Sequence, residues 1–137
     1  MRKLFFFVFV FVFVLSSCKG KECNVPIGVT NFRVEPNSAY YSGLNNVGGY
    51  MYFTGGYNGV VVVRTGYYSF VAYERACPAD TGQVKVSDDW GSSILQCPKC
   101  GSCFIVEADG TPMDGSATPC ALYQYSTHYS GGVLEVY

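Results

Sequence analysis

The chain has 137 residues, 49% of them hydrophobic and 14% charged, and its formal net charge is −1, so its length suits one small domain. The chain is rich in Tyr, Val and Gly rather than in charged residues, and this composition excludes a disordered protein. Because there is no excess of basic residues, the protein lacks the positive face that nucleic-acid binding requires, and we expect no nucleic-acid partner.

The N-terminus has the pattern of a secretory signal. Arg2 and Lys3 precede an uninterrupted run of twelve apolar residues at positions 4–15. This run is shorter than the roughly 20 residues of an ordinary membrane-spanning helix, but it has the length of a signal-peptide core. We therefore predict a cleaved signal peptide over residues 1–17.

The cleavage region reads Leu15-Ser16-Ser17-Cys18 and resembles the lipobox of bacterial lipoproteins, whose cysteine becomes the lipidated first residue of the mature chain. The resemblance implies that acyl chains on Cys18 attach the protein to a membrane, with residues 18–26 as the lipidated cysteine and its tether. Lys19, where inner-membrane lipoproteins carry Asp, resembles a signal for the outer membrane. The alternative is a secreted protein with ordinary cleavage and a free Cys18.

Six cysteines remain beyond Cys18, and the cell envelope is an oxidising compartment in which paired thiols become disulfides. These residues are Cys23, Cys77, Cys97, Cys100, Cys103 and Cys120. The even number allows complete pairing, but the sequence fixes neither the connectivity nor the partner of Cys23.

The remaining body contains short runs typical of β-strands, separated by Gly, Pro, Asn and Asp. These runs predict strands at Val29–Val34, Tyr50–Thr54, Val60–Arg64, Phe70–Glu74, Gln83–Val86, Ile94–Gln96, Cys103–Val106 and Val133–Val136. Asn58-Gly59 and Asp109-Gly110 predict turns, and Tyr40–Asn46 predicts one helical turn. The four valines at 60–63 do not alternate with polar residues, which is typical of a strand covered on both faces. The predicted fold is all-β, an antiparallel sandwich or small barrel.

The most informative motif is Cys97-Pro98-Lys99-Cys100-Gly101-Ser102-Cys103-Phe104, with Cys77-Pro78-Ala79-Asp80 twenty positions earlier. Downstream follow Asp109-Gly110, Gly115-Ser116-Ala117-Thr118 and Leu122-Tyr123-Gln124-Tyr125. In order and spacing these pieces resemble the Rieske iron–sulfur domain, whose loops read C-x-H and C-P-x-H-G-S-x-F. The resemblance is strongest over residues 48–137. It implies a β-sandwich domain over 27–137 with two cysteine loops at one end.

The resemblance fails at the ligands of the iron–sulfur cluster. A Rieske [2Fe–2S] centre has two Cys on one iron and two His on the other. Cys77 and Cys97 match the two cysteines, but Ala79 and Cys100 stand at the histidine positions, and the single histidine of the chain is His128. An intrachain iron with two histidine ligands is therefore excluded, and we expect no normal Rieske cluster and no cofactor.

Three replacements for the cluster remain open. Because the resemblance brings Cys77 and Cys97 together, it implies a disulfide between Cys77 and either Cys97 or Cys100, and a second bridge is expected between Cys103 and Cys120. The first alternative is zinc on Cys77, Cys97 and Cys100, with Cys103 or Asp80 as the fourth ligand, although Cys77 has no cysteine partner nearby in sequence. The second alternative is an all-cysteine iron–sulfur cluster. It requires Cys103 to turn inward, whereas Phe104 beside it is expected to occupy the core.

The sequence thus favours a lipid-anchored envelope protein whose Rieske-like domain is a structural or partner-binding module, without enzymatic activity and with an unidentified protein partner. The first alternative is an electron-transfer protein with an iron–sulfur cluster or zinc on the cysteine loops. The second is glycan binding through some of the twelve tyrosines. We expect His128 in a solvated polar loop, and Trp90 packed beneath a surface turn.

Overall fold

The computed structural model describes residues 22–137, which form eleven short strands and two 3-10 helices. The strands are β1 Phe32–Val34, β2 Tyr50–Phe53, β3 Val60–Arg64, β4 Phe70–Glu74, β5 Lys85–Ser87, β6 Gly91–Gln96, β7 Cys103–Ile105, β8 Thr111–Pro112, β9 Gln124–Tyr125, β10 Thr127–Ser130 and β11 Val133–Val136. The 3-10 helices are Ala39–Leu44 and Val106–Ala108. The all-β prediction is confirmed. The predicted signal peptide, residues 1–17, and Cys18 lie outside the described residues.

The strands form three antiparallel sheets, ordered β1-β11-β10, β2-β3-β4-β9 and β5-β6-β7-β8. Alternate residues of β3 enter two different cores because neighbouring side chains of a strand point to opposite faces. Val61 and Val63 pack with residues of the β5–β8 sheet, while Val60 and Val62 pack with residues of the β1–β11–β10 sheet. The sheet containing β3 is therefore the middle layer, which confirms that residues 60–63 are covered on both faces.

The apolar runs locate most strands well, and the polar strands are the ones that sequence patterns miss. The predicted bounds of β3, β4 and β11 agree with the structure, whereas β8, β9 and β10 were not expected. β10 is an edge strand that pairs only with β11, so its composition is mostly polar. The prediction of a loop around His128 is wrong, because this exposed residue lies within β10.

The turns follow the sequence signals closely. Asp109 and Gly110 have positive φ angles of 54° and 70° and lead into β8, and Gly59 has a φ of 95° before β3. The predicted helical turn is present as the 3-10 helix Ala39–Leu44. Trp90 is 64% exposed in the β5–β6 turn, so its predicted packing beneath that turn is wrong. The Ser87 hydroxyl caps this turn by accepting the N–H groups of Asp89 and Trp90, and the indole is left outside.

A disulfide ties the N-terminal segment to the body of the domain. It joins Cys23 to Cys120, 97 positions apart in sequence. The predicted bridge between Cys103 and Cys120 is therefore wrong. Cys120 lies against the segment that enters the domain from the N-terminus, whereas Cys103 is a free thiol at the start of β7. None of the helices in residues 22–137 has the length and hydropathy that crossing a membrane needs.

Candidate metal centre

Two loops of the same design meet at one end of the domain. The first, residues 77–82, follows β4, and the second, residues 97–102, joins β6 to β7. Each begins with Cys-Pro, and in each the N–H group of the first cysteine donates to the carbonyl of the sixth loop residue, at 2.9 Å in the first loop and 2.8 Å in the second. In each loop the fifth residue returns a hydrogen bond to the carbonyl of that cysteine, at 2.8 Å. The two loops are therefore matching knuckles.

The fifth position of each knuckle requires a left-handed backbone. Gly101 holds this position in the second loop with a φ of 77°, as expected for a residue without a side chain. Thr81 holds it in the first loop with a φ of 60°, which is unfavourable for a β-branched residue. The first knuckle thus keeps its shape in spite of local strain, which indicates that the surrounding contacts impose the conformation.

The knuckles bring four potential metal ligands together. The Sγ atoms of Cys77, Cys97 and Cys100 and one carboxylate oxygen of Asp80 all lie within 4.8 Å of one another. The sulfurs of Cys77 and Cys100 are 3.7 Å apart, and the sulfur of Cys97 is 3.4 Å from Oδ1 of Asp80. Around tetrahedral zinc, ordinary bond lengths separate two thiolates by about 3.8 Å and a thiolate from a carboxylate oxygen by about 3.5 Å. Two of the donor pairs therefore have the spacing expected around one tetrahedral ion, and the other pairs lie within 4.8 Å.

Neighbouring polar groups orient these side chains. Ser102 is buried, and its hydroxyl lies 3.1 Å from the sulfur of Cys100 and accepts the N–H group of Ala117 at 2.9 Å. Oδ1 of Asp80 accepts the N–H group of Gly82 at 2.8 Å. Such partners hold metal ligands in the orientation that coordination requires.

Gly82 keeps the space between the knuckles open. A Cβ at this position would lie 2.9 Å from both Oδ1 of Asp80 and the sulfur of Cys97. Those distances are shorter than real side chains tolerate, so a larger residue would push the ligands apart. Glycine is therefore required here by the close approach of the two loops.

The four groups differ in how readily they ionise. Burial raises the pKa of Cys77 and of Cys97, because a thiolate loses hydration there. Burial also acts to raise the pKa of Cys100 and of Asp80, but hydrogen bonds outweigh it and the pKa of each is lowered. The main hydrogen bonds come from Ser102 to Cys100 and from the Gly82 N–H group to Asp80. Two groups are thus predisposed to ionise, and the two buried thiols would need a bound cation to become thiolates.

The structure unites the three predicted cysteine ligands and places Asp80, not Cys103, with them. Phe104 is fully buried, so Cys103 beside it faces the other way and its thiol approaches the carbonyl of Gly101 at 3.6 Å. Ala79, at the lost histidine position, is exposed in the first knuckle. The repeated Cys-Pro, followed two residues later by Asp in one loop and Cys in the other, is the signal that identifies Asp80 as the nearby partner of Cys77.

The predicted disulfide between Cys77 and either Cys97 or Cys100 is not formed in the structure, where all three are free thiols. The separation of 3.7 Å between the sulfurs of Cys77 and Cys100 is far from the roughly 2.05 Å of an S–S bond. The donor atoms of Cys77, Asp80, Cys97 and Cys100 all lie within 4.8 Å of one another, close enough to share one ion.

The centre does not fit a Rieske cluster. A two-iron cluster divides its four ligands between two metal ions and requires two histidines on one of them. Here the four donors form one group within 4.8 Å of one another, and His128 is not among them. A fourth cysteine for an all-cysteine cluster is also missing from the group, since Cys103 points away.

Comparisons of the chain with models of protein families, with curated proteins and with solved structures find no match. The ligand of this centre is therefore inferred from its geometry.

Proposed function

We propose that this protein is a zinc-binding module of the bacterial cell envelope, in which one zinc ion joins two loops into a rigid surface for a protein partner. The observation that carries the proposal is the convergence of four donors from two matching knuckles, with the Cys77–Cys100 and Cys97–Asp80 pairs at the spacing of a tetrahedral ion. A structural zinc site of this kind fixes loops that have few other contacts. The resemblance to the Rieske domain supports the view that the ion occupies the place of the lost cluster.

Zinc is favoured over other metals by the chemistry of the donors. Three thiolates and one carboxylate form a soft, tetrahedral set, and zinc accepts this set without any redox change. Lys99 brings a positive charge to the edge of the centre, where its Nζ donates to the carbonyl of Asp80 at 3.3 Å. Iron in the same site would favour the alternative function, electron transfer.

The proposed envelope location favours a bound ion as well. The disulfide between Cys23 and Cys120 is typical of an oxidising compartment. In such a compartment three thiols as close as Cys77, Cys97 and Cys100 would be expected to oxidise in pairs unless a metal held them. Lipid attachment at Cys18 is part of the same proposal, and it rests on the lipobox pattern.

The test is metal analysis of the full-length protein, purified in mild detergent without chelators. We expect one zinc ion per chain, and we expect Cys100→Ser and Asp80→Asn to lower zinc affinity by about 10–100-fold or more. Cys103→Ser is the matched control, because this cysteine lies in the same segment but points away from the centre. Replacement of zinc by cobalt should give the intense visible absorption of a tetrahedral thiolate site.

Two results would contradict the zinc assignment. Protein without metal and with few titratable thiols would mean that the loops are closed by a disulfide, and the domain would then be a metal-free binding module. Stoichiometric iron with visible colour in the untreated protein would favour electron transfer instead.

A further inference from the structure

A second candidate site lies beside the first knuckle and involves none of the proposed zinc ligands. It is a solvent-open cleft of about 540 Å³ between the end of β2, the glycine-rich loop 54–59 and the side chains of Arg75 and Gln83. The volume falls within the range of roughly 300–1,000 Å³ that small-molecule sites occupy. None of the lining residues is acidic.

Arg75 provides a fixed cation in this cleft. Its Nε donates to the carbonyl of Val84 at 2.7 Å, and its guanidinium carbon lies 3.9 Å from the ring centre of Tyr52. Tyr52 is held in turn, because its hydroxyl accepts the N–H group of Val86 at 2.9 Å. Within residues 22–137, no group accepts a hydrogen bond from the two terminal nitrogens of Arg75. These two nitrogens form a fork suited to two oxygens of one anion.

The acidic residue next to Arg75 in sequence forms no ion pair with this fork in the part of the chain that the structure describes. Glu74 is fully buried, and its carboxylate accepts the N–H groups of Tyr57 and Asn58 at 2.6 Å and 2.8 Å and the Tyr125 hydroxyl at 2.7 Å. The carboxylate of Glu74 therefore stabilises the glycine-rich loop through its backbone N–H groups. Glu74 acts on Arg75 only through its electrostatic field, and the terminal nitrogens of Arg75 are left to bind a ligand.

Two side-chain amides of the cleft offer acceptors to a ligand. The side-chain nitrogen of Asn58 donates to the carbonyl of Thr81, and that of Gln83 donates to the carbonyl of Asn58, each at 3.0 Å. The amide oxygens of both side chains have no donor among the described residues. Hydroxyl groups of a ligand would satisfy them.

Aromatic rings complete the lining. Tyr57 is 60% exposed and Tyr52 is 40% exposed. Exposed tyrosine rings offer flat apolar faces with a polar edge, which suit the C–H faces of a sugar ring. A matching ligand therefore has a carboxylate, several hydroxyls and one apolar face.

We propose that this cleft binds a sugar that carries a carboxylate, a hexuronic acid residue, with Arg75 holding the carboxylate and Tyr57 covering the ring. The amide oxygens of Asn58 and Gln83 accept its hydroxyl protons. The site is separate from the proposed zinc ligands, although the hydrogen bond from Asn58 to Thr81 places it beside the first knuckle.

The test is NMR titration of the full-length, isotope-labelled protein in detergent with three probes: D-glucuronate, D-glucose and acetate. We expect glucuronate to shift the Nε–H signal of Arg75 and the amide signals of Gly55 and Gly59. Glucose and acetate should each bind at least about tenfold more weakly, because each lacks one half of the recognised chemistry.

Variants separate the two halves of the site. Arg75→Lys keeps the charge but loses the fork, and Tyr57→Ala removes an exposed ring without touching Arg75. We expect each to weaken glucuronate binding at least about tenfold. Tyr67→Ala is the matched control, because Tyr67 is 70% exposed in the β3–β4 turn outside the cleft. Unchanged zinc content and thermal unfolding show that each variant is folded.

Several outcomes would overturn the proposal. If glucose bound as tightly as glucuronate, the carboxylate would not be recognised. If acetate bound as tightly, the sugar ring would not be recognised. The absence of any shift with glucuronate would remove the site, as would unchanged binding in the folded Arg75→Lys and Tyr57→Ala variants. None of these results would affect the zinc proposal, since metal content is measured on the same samples.

Discussion

Arg64 is a buried cation that has no carboxylate partner within residues 22–137. It is only 3% exposed at the end of β3, and its guanidinium donates to carbonyl groups instead. The acceptors include Leu44 and Asn45 at 2.9 Å and Tyr67 at 2.6 Å, together with the side chain of Asn37 at 2.9 Å. This one side chain thus joins the 3-10 helix and its flanking residues to the β3–β4 turn.

The substitution Arg64→Lys is expected to lower the free energy of unfolding by about 3 kcal/mol. Lysine keeps the charge, but a single ammonium group does not reach carbonyls arranged around a planar fork, so buried acceptors lose their donors. Urea denaturation of the variant measures the effect. Arg33→Lys is the control and should change stability by less than about 0.5 kcal/mol, because its ion pair with Glu135 lies at the surface. A loss below about 1 kcal/mol for Arg64→Lys would show that Arg64 does not hold these segments together.

At the scale of elements, the disulfide between Cys23 and Cys120 is the covalent link that fixes the N-terminal segment. The N-terminal segment also contacts the glycine-rich loop, where the carbonyl of Val29 accepts the N–H group of Gly56 at 3.1 Å. It is a weakly held segment without the bridge, because β1 is its first regular element and has three residues. A cross-link that closes so long a loop mainly restricts the unfolded chain.

Removal of this bridge by Cys23→Ser with Cys120→Ala is expected to cost about 4 kcal/mol of unfolding free energy. Chemical denaturation of the double variant and of the untreated protein measures the difference. Reductant is the matched control: it should lower the stability of the natural protein and leave the double variant unchanged. Equal stability of the two proteins under oxidising conditions would contradict a stabilising role for the bridge.

Local sequence patterns predict some of the strands and turns but not all of them. β3 was predictable because four consecutive valines need burial on both faces, and the Asp109-Gly110 turn because both residues accept positive φ. β8 and β9, with two residues each, owe their conformation to the strands they pair with, so no local pattern marks them. The pairing of Cys23 depends on where a distant segment lies, which local sequence does not encode.

The candidate metal centre likewise combines residues that the sequence indicated with residues that only the fold brings in. The resemblance to the Rieske domain grouped Cys77, Cys97 and Cys100, with a disulfide as the first expectation and a metal as the alternative. Asp80 and Cys103 were the two candidates for the fourth ligand. Phe104 is buried, as its sequence position led us to expect, so Cys103 faces away and Asp80 joins the group. The roles of Ser102 and Gly82 depend on contacts between the loops and were not predicted.

At the scale of the whole molecule, the N-terminal segment and the candidate metal centre share one end. Glu22 and Asn24 line a small cavity together with Pro78 and Ala79 of the first knuckle. Cys18 precedes Cys23 by five residues, and a fully extended chain of that length spans at most about 18 Å. With Cys18 lipidated as proposed, the knuckles are therefore held close to the membrane surface.

β5 and β6 form a hairpin that ends at the second knuckle, and the turn at its other end contains Trp90, the only tryptophan of the chain. This residue makes the orientation measurable. Trp90 lies in the β5–β6 turn, and β6 runs from there to the second knuckle over six residues, or about 17 Å.

In vesicles with nitroxide groups at the lipid headgroups, we expect weak quenching of Trp90 fluorescence. The double variant Trp90→Phe with Ala79→Trp, which moves the fluorophore to the exposed position in the first knuckle, should be quenched strongly. A Cys18→Ser chain, which should not attach, is the control for both. Stronger quenching of Trp90 than of the double variant would mean that the knuckles face away from the membrane and that their proposed partner lies in the surrounding aqueous space.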